Sequence, residues 1–129
     1  MNIFDRVQKL GTIGEALVQN EPLLNEDREF LGQMLVEIAE DNIDEKLVVS
    51  IGRKIIIQAV KDLISGDEDI SYSAVKFFTE NQHENICKQA GIPAEEIHAS
   101  VLAAVEQTGV RRMKLAGDIL KELGYYEKG

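Results

Sequence analysis

The stretch DEKLVVSIGRKIIIQAVKDLI, residues 44–64, decides the fold. Taken at 3.6 residues per turn, Val48, Ile51, Ile55, Ala59 and Leu63 fall in one stripe. Val49, Ile56, Ile57, Val60 and Ile64 extend that apolar surface around the cylinder. A helix apolar on most sides is a buried helix. In a chain of 129 residues such a helix is hard to enclose with its own neighbours alone. We therefore expect a homodimer buried along it, with Val49, Ile56, Ile57 and Val60 in the interface.

The same periodicity runs outward in both directions. A first helix is expected over residues 3–18, with Ile3, Val7, Leu10, Leu17 and Val18 on one side. Gly11 and Gly14 weaken it by about 1 kcal/mol each, and mark either close packing or a break. Asn20-Glu21-Pro22 ends it. A second helix starts near Asn25, a good N-cap, with Glu26 and Asp27 suited to the positive end of the helix dipole. Phe30, Leu31, Met34, Leu35, Ile38 and Ala39 form its apolar stripe. Asn42 or Asp44 caps the third helix, and Ser65-Gly66 stops it.

Beyond the acidic turn Asp67-Glu68-Asp69, Ser71 is expected to cap a short helix holding Ala74, Val75, Phe77 and Phe78. Asn81, with Glu84 three residues on, opens another that contains Ile86, Cys87 and Ala90. Gly91 ends it, and Pro93 suits the start of the next, whose apolar face is Ile97, Val101, Leu102 and Val105. A last helix carries Val110, Met113, Leu115, Ile119, Leu120 and Leu123, with Gly124 as its cap. No period-two alternation or hairpin signal competes with this pattern. The expectation is one all-α domain over residues 1–129, a compact orthogonal bundle of about six or seven helices. A helix-turn-helix-like unit lies near residues 83–105.

Charge narrows the function. There are 23 acidic and 14 basic residues, for a net charge of -9. Residues 1–70 hold 15 acids and 7 bases, whereas residues 71–129 hold 8 and 7. That balance argues against a general nucleic-acid coat or a polybasic membrane binder. One cysteine excludes a disulfide framework and a multi-cysteine zinc site. With neither a signal peptide nor an apolar run of membrane length, a cytoplasmic protein is expected.

Several motifs have chemical potential, and each also has a plainer reading. His83 and Cys87 stand four apart on one helix, the spacing of two metal ligands, but a structural zinc needs four. A buried thiol beside a histidine at the helix start is the plainer reading. A Cys-His nucleophile would need Cys87 exposed, and Ile86, Ala90 and Gly91 around it point to burial. Counted from Asp67 as a calcium loop, the sixth position is Tyr72 rather than Gly and the twelfth is Phe78 rather than Glu. Gly11-Thr12-Ile13-Gly14 has the spacing of an RNA-clamping loop, but Lys9 is the only nearby base. In the helix-turn-helix unit the reading helix would open with Ala94-Glu95-Glu96, and phosphates repel those carboxylates. Arg111, Arg112 and Lys114 form the only basic cluster and are candidates for partner or phosphate contact. Asp67, Glu68 and Asp69 are candidates for contact with a basic partner.

Three fragments also form a familiar layout. Gln58-Ala59-Val60-Lys61-Asp62-Leu63 ends an apolar helix, Ala74-Val75-Lys76-Phe77-Phe78 follows a polar gap, and Cys87-x-x-Ala-Gly-Ile-x-x-x-x-Ile97 makes a turn. Together, over residues 53–101, these resemble small helical proteins encoded by bacteriophages and prophages. The resemblance implies a compact helical fold and a mobile-element setting. Those proteins generally have no assigned activity, so it implies no functional residues. They often carry a base just after the position matching Ile97, where this chain has His98.

These readings point to a non-enzymatic protein without a cofactor. It would be a phage-type regulator or inhibitor working by protein–protein contact, directed against a nucleic-acid-binding component of host or phage. The competing expectation is a helix-turn-helix DNA-binding regulator.

Overall fold

Seven helices form among the described residues, and five of them pack against the apolar segment quoted above. The computed structural model describes the backbone of residues 3–19, 21–40 and 45–124. The side chains of residues 3–7, 9, 10, 18 and 38–40 lie outside that description. The helices are α1 (Ile3–Val18), α2 (Asn25–Glu40), α3 (Glu45–Asp62), α4 (Glu68–Thr79), α5 (Glu84–Ala90), α6 (Ala94–Val105) and α7 (Gly109–Glu122). Among the described residues there is no strand, and no helix is long and apolar enough to cross a membrane.

The third helix is enclosed by its own chain, against expectation. α3 packs on α2, α4, α5 and α7, and α1 also lies against it. Ile55, Ile56, Ala59 and Val60 are 0% exposed. Ile56 and Val60 therefore have no surface left to give a second copy, which corrects their assignment to a dimer interface. Val49 and Ile57 are half-buried. The physical reason is the number of short helices, since five neighbours can cover most of a cylinder that two could not.

The remaining helices start and stop for local reasons. Asp67, expected to be part of a solvated turn, caps α4 by accepting from the N–H groups of Asp69 (2.9 Å) and Ile70 (3.3 Å). The helix thus begins three residues before Ser71, whose hydroxyl instead donates to the Leu63 carbonyl (2.9 Å). Asn25 is the first residue of α2 rather than its cap, because the Leu24 carbonyl already accepts from Asp27 and Arg28. The expected caps Asn42 and Asp44 lie outside the described residues, as do Asn20 and the side chains of Ile3, Val7, Leu10, Val18, Ile38 and Ala39. In α1, Leu17 is buried together with Ile13. That helix is continuous through Gly11 and Gly14, and among the described residues nothing lies within 4 Å of a side chain added at either. On α7, Val110 (82% exposed) and Met113 (55%) face solvent rather than the core.

A buried polar knot ties three helices together. Arg28 of α2 is 0% exposed and donates through Nη2 to Asp62 Oδ2 (2.6 Å) and to the Leu23 carbonyl (2.6 Å). Its Nη1 donates to Ser73 Oγ on α4 (3.2 Å), and its guanidinium lies 5.5 Å from the Phe77 ring centre. Asp62 also accepts from the Leu23 N–H (3.1 Å) and from Gln58 Nε2 (2.9 Å). Burial pulls the Arg28 guanidinium below its usual pKa, and its bond to Asp62 opposes the pull.

Candidate functional site

The α4–α5 turn builds the site. Asn81 was expected to open α5, but it takes a left-handed conformation (φ 59°) and closes α4. Its N–H donates to the Phe78 carbonyl (3.2 Å), and the Gln82 N–H donates to the Phe77 carbonyl (3.0 Å). Asn tolerates this region better than most residues, and here it does the work usually given to glycine at a helix end. The reversal tucks His83 beneath the end of α4. The His83 ring sits 5.1 Å from that of Phe78 and 6.2 Å from that of Phe77, and is only 1% exposed.

A second imidazole arrives from α6. A Schellman-type closure at Gly91 (φ 69°) ends α5, with the Ile92 N–H donating to the Cys87 carbonyl (2.9 Å). Pro93 then starts α6, which carries His98 to the His83 ring. The two rings are stacked, with centres 5.4 Å apart and planes within 5° of parallel. Nδ1 of each ring is buried without a hydrogen-bond partner. His83 also engages the Phe77 backbone carbonyl as a donor. Burial first, and then the neighbouring His98, lower the His83 pKa, while Glu84 acts the other way.

Both rings line an open cavity of about 320 Å³, shared with Asn81, Glu84, Ala94 and Glu95. Two more carboxylates meet at the α4–α5 turn. Gln82 Nε2 donates to Glu29 (2.7 Å) and Glu80 (3.2 Å), drawing α2 and the end of α4 to the same turn. Lys76 offsets part of this charge through a 3.8 Å contact with Glu80, both side chains being about half exposed.

The other expected sites are scattered. Arg112 is committed to the fold: its Nε donates to the Gln107 carbonyl (2.8 Å) and its Nη2 to the Val105 carbonyl (2.7 Å), closing the α6–α7 turn. Arg111 and Lys114 are exposed on α7. Glu68 and Asp69 are exposed in the first turn of α4, where they favour the helix dipole. Neither charged set lines the cavity. No family model, curated protein or solved structure matches this chain.

The cavity wall carries two exposed carboxylates, Glu84 and Glu95. Cys87 is buried, and burial pushes its thiol up to about 12, far from a reactive thiolate. Among the described residues, no three His, Cys, Asp or Glu side chains converge as metal ligands. The sequence reading sets His83 beside Cys87 and places His98 in the reading helix, so it does not pair the two histidines. The signal that could have paired them is their flanking glutamates, since Glu84 follows one and Glu95 stands three before the other.

Proposed function

We propose that this chain is a small acidic binding protein of phage type. In this reading it regulates or inhibits a nucleic-acid-binding component of host or phage by covering that component's basic surface, in the cytoplasm. The carrying observation is the gathering of Glu29, Glu80, Glu84 and Glu95 around the α4–α5 turn. Glu96 on α6 and Glu106 just after it are exposed as well, and add negative surface away from that turn. Complementary charge speeds encounter and suppresses wrong partners.

The DNA-regulator reading has one point in its favour, the helix–turn–helix arrangement of α5 and α6 about Gly91. The exposed face of α6 opposes it. Glu95, Glu96, Ala99, Leu102, Ala103 and Glu106 present three carboxylates and no base to a groove.

Affinity capture from host lysate, followed by purification of the captured partner, separates the two readings. The expected result is a basic protein whose binding weakens when Glu29, Glu80 and Glu84 become Gln, with no duplex DNA bound at low salt. Duplex binding with a steep salt slope, lost in Arg111→Glu with Lys114→Glu, would overturn the proposal.

A further inference from the structure

We propose that the stacked pair His83–His98 is an acid-released latch: neutral, it closes α6 onto the α4–α5 turn, and on protonation His98 leaves the stack for the adjoining cavity. The latch does not rest on the function proposed above.

The stacked state has no place for added protons. Whichever nitrogen carries the proton of a neutral imidazole, an imidazolium carries protons on both. Among the described residues Nδ1 of each ring is buried without a hydrogen-bond partner, so either ring, once charged, would bury an N–H with no acceptor. Two charged rings would also stand face to face, with centres 5.4 Å apart and planes within 5° of parallel. Phe77 and Phe78 pack around the His83 ring and offer no lone pair. Uncharged, the two imidazoles cover each other's faces and hold α6 to the turn.

The released state supplies what the stack lacks. His98 is half-buried whereas His83 is 1% exposed, so His98 is the ring nearer to water. Both rings border the open cavity of about 320 Å³, which has room for an imidazole. Glu84 and Glu95 stand exposed at its wall, and Glu95, three residues before His98, is its neighbour on the α6 surface. A charged ring in the cavity has water and two carboxylates as acceptors. Its departure uncovers one face of His83, which then takes a proton in its turn.

The charges on the packed elements do not reverse this direction. Glu29 of α2 and Glu80 of α4 meet at Gln82 and favour a cation near the turn, while Lys76 of α4 is drawn to Glu80. Arg28 of α2 lies 5.5 Å from the Phe77 ring centre, but its charge is paired with Asp62 of α3. On α5, Lys88 is exposed and Cys87 is a neutral thiol. Burial, and then His98 itself, hold His83 below the usual histidine pKa, as a closed stack requires.

A proton NMR titration of the intact chain, across the ordinary histidine value of about 6.5, tests the latch. Above that value a nuclear Overhauser effect should link the two imidazole rings. On acidification it should vanish, one between the His98 ring and the Glu95 side chain should appear, and His98 should titrate at higher pH than His83. Buried α3 residues such as Ile55 should keep their signals, because release is local. His98→Phe keeps a ring on His83 but can neither take a proton nor be drawn to the carboxylates. In that variant His83 should titrate at lower pH than in the natural chain, whereas repulsion between two fixed charges predicts the opposite shift. An upward shift of His83 in His98→Phe would overturn the latch. So would rings that stay in contact once both are protonated, or loss of the α3 signals over the same pH range, which would make the transition global unfolding. The ring-to-ring contact is read in the natural chain, so it decides even where His98→Phe does not fold.

Discussion

At Gly52 the α3 backbone comes so close to α5 that an added Cβ would stand 2.9 Å from the Ala90 Cβ and 3.4 Å from the Ile86 carbonyl oxygen. Ala is the better helix former by about 1 kcal/mol, so propensity and packing oppose each other here. Packing wins because the obstacle is the Ala90 Cβ, which is fixed to the α5 backbone and has no torsion by which to swing aside. Gly52→Ala should lower stability by about 1–3 kcal/mol in urea unfolding. Gly11→Ala and Gly14→Ala have open space instead and should each gain up to about 1 kcal/mol. A gain at Gly52 would show that α5 moves aside freely. His83 supplies a prediction of a different kind. It is held neutral by burial among Phe77, Phe78 and His98, with Glu84 and Cys87 on its own helix. Its folded pKa lies below the unfolded value of about 6.5. Above that pH neither state holds the proton, and the group contributes no slope. Below it the unfolded chain takes up a proton that the folded chain resists, so stability falls as pH drops. Melting curves from pH 7.5 to 5.5 should show this decline, and His83→Gln should flatten it. An unchanged slope in the variant would place the pH sensitivity elsewhere.

The polar knot joins elements that local sequence patterns keep apart. Arg28 and Asp62 lie 34 residues apart, and both occupy helix positions where charged residues usually face water. Their exposures of 0% and 2% mean that breaking the pair leaves a buried charge. Arg28→Leu or Asp62→Leu alone should cost about 3–5 kcal/mol, with much of that restored in the double variant. A double-mutant cycle checks this, and strictly additive losses would deny the coupling. The same contrast explains which parts were legible beforehand. Helix periodicity is local, and it located the seven helices of the described residues and most of their ends. The Gly91 closure was legible for the same reason, because glycine is the usual residue at a left-handed helix end. Asn81 closes α4 in the same way but was misplaced, since Asn followed by Glu three residues later also fits a helix start. The cavity depends on that turn and on His98 arriving from α6, a meeting that no single segment encodes. Arg112 was legible as a charge but not as the bond that closes the α6–α7 turn.

For the whole molecule, enclosure of α3 changes what a core substitution reports. Ile56→Asp places a charge where nothing of the side chain is exposed, so loss of the folded circular-dichroism signal is expected, not a change of mass in a folded chain. A folded, stable Ile56→Asp would refute this packing. Net charge acts at the same scale. A domain of this length has a radius of gyration of about 14 Å. The screening length is about 30 Å at 0.01 M salt and about 8 Å at 0.15 M. At the lower salt most charges in the fold feel one another, and a net charge of -9 makes the sum repulsive. The unfolded chain is far more expanded and relieves much of that repulsion. Raising salt from 0.01 to 0.15 M should therefore stabilise the fold. The Arg28–Asp62 pair should not cancel the gain, because a buried pair is screened little. A gain of about 1 kcal/mol corresponds to a rise of about 3–5 °C in the melting midpoint for a domain of this size. Sodium chloride is the appropriate salt, because sulfate strengthens apolar burial in its own right. A midpoint that falls with sodium chloride would show that attractive surface pairs such as Lys76–Glu80 outweigh the net repulsion.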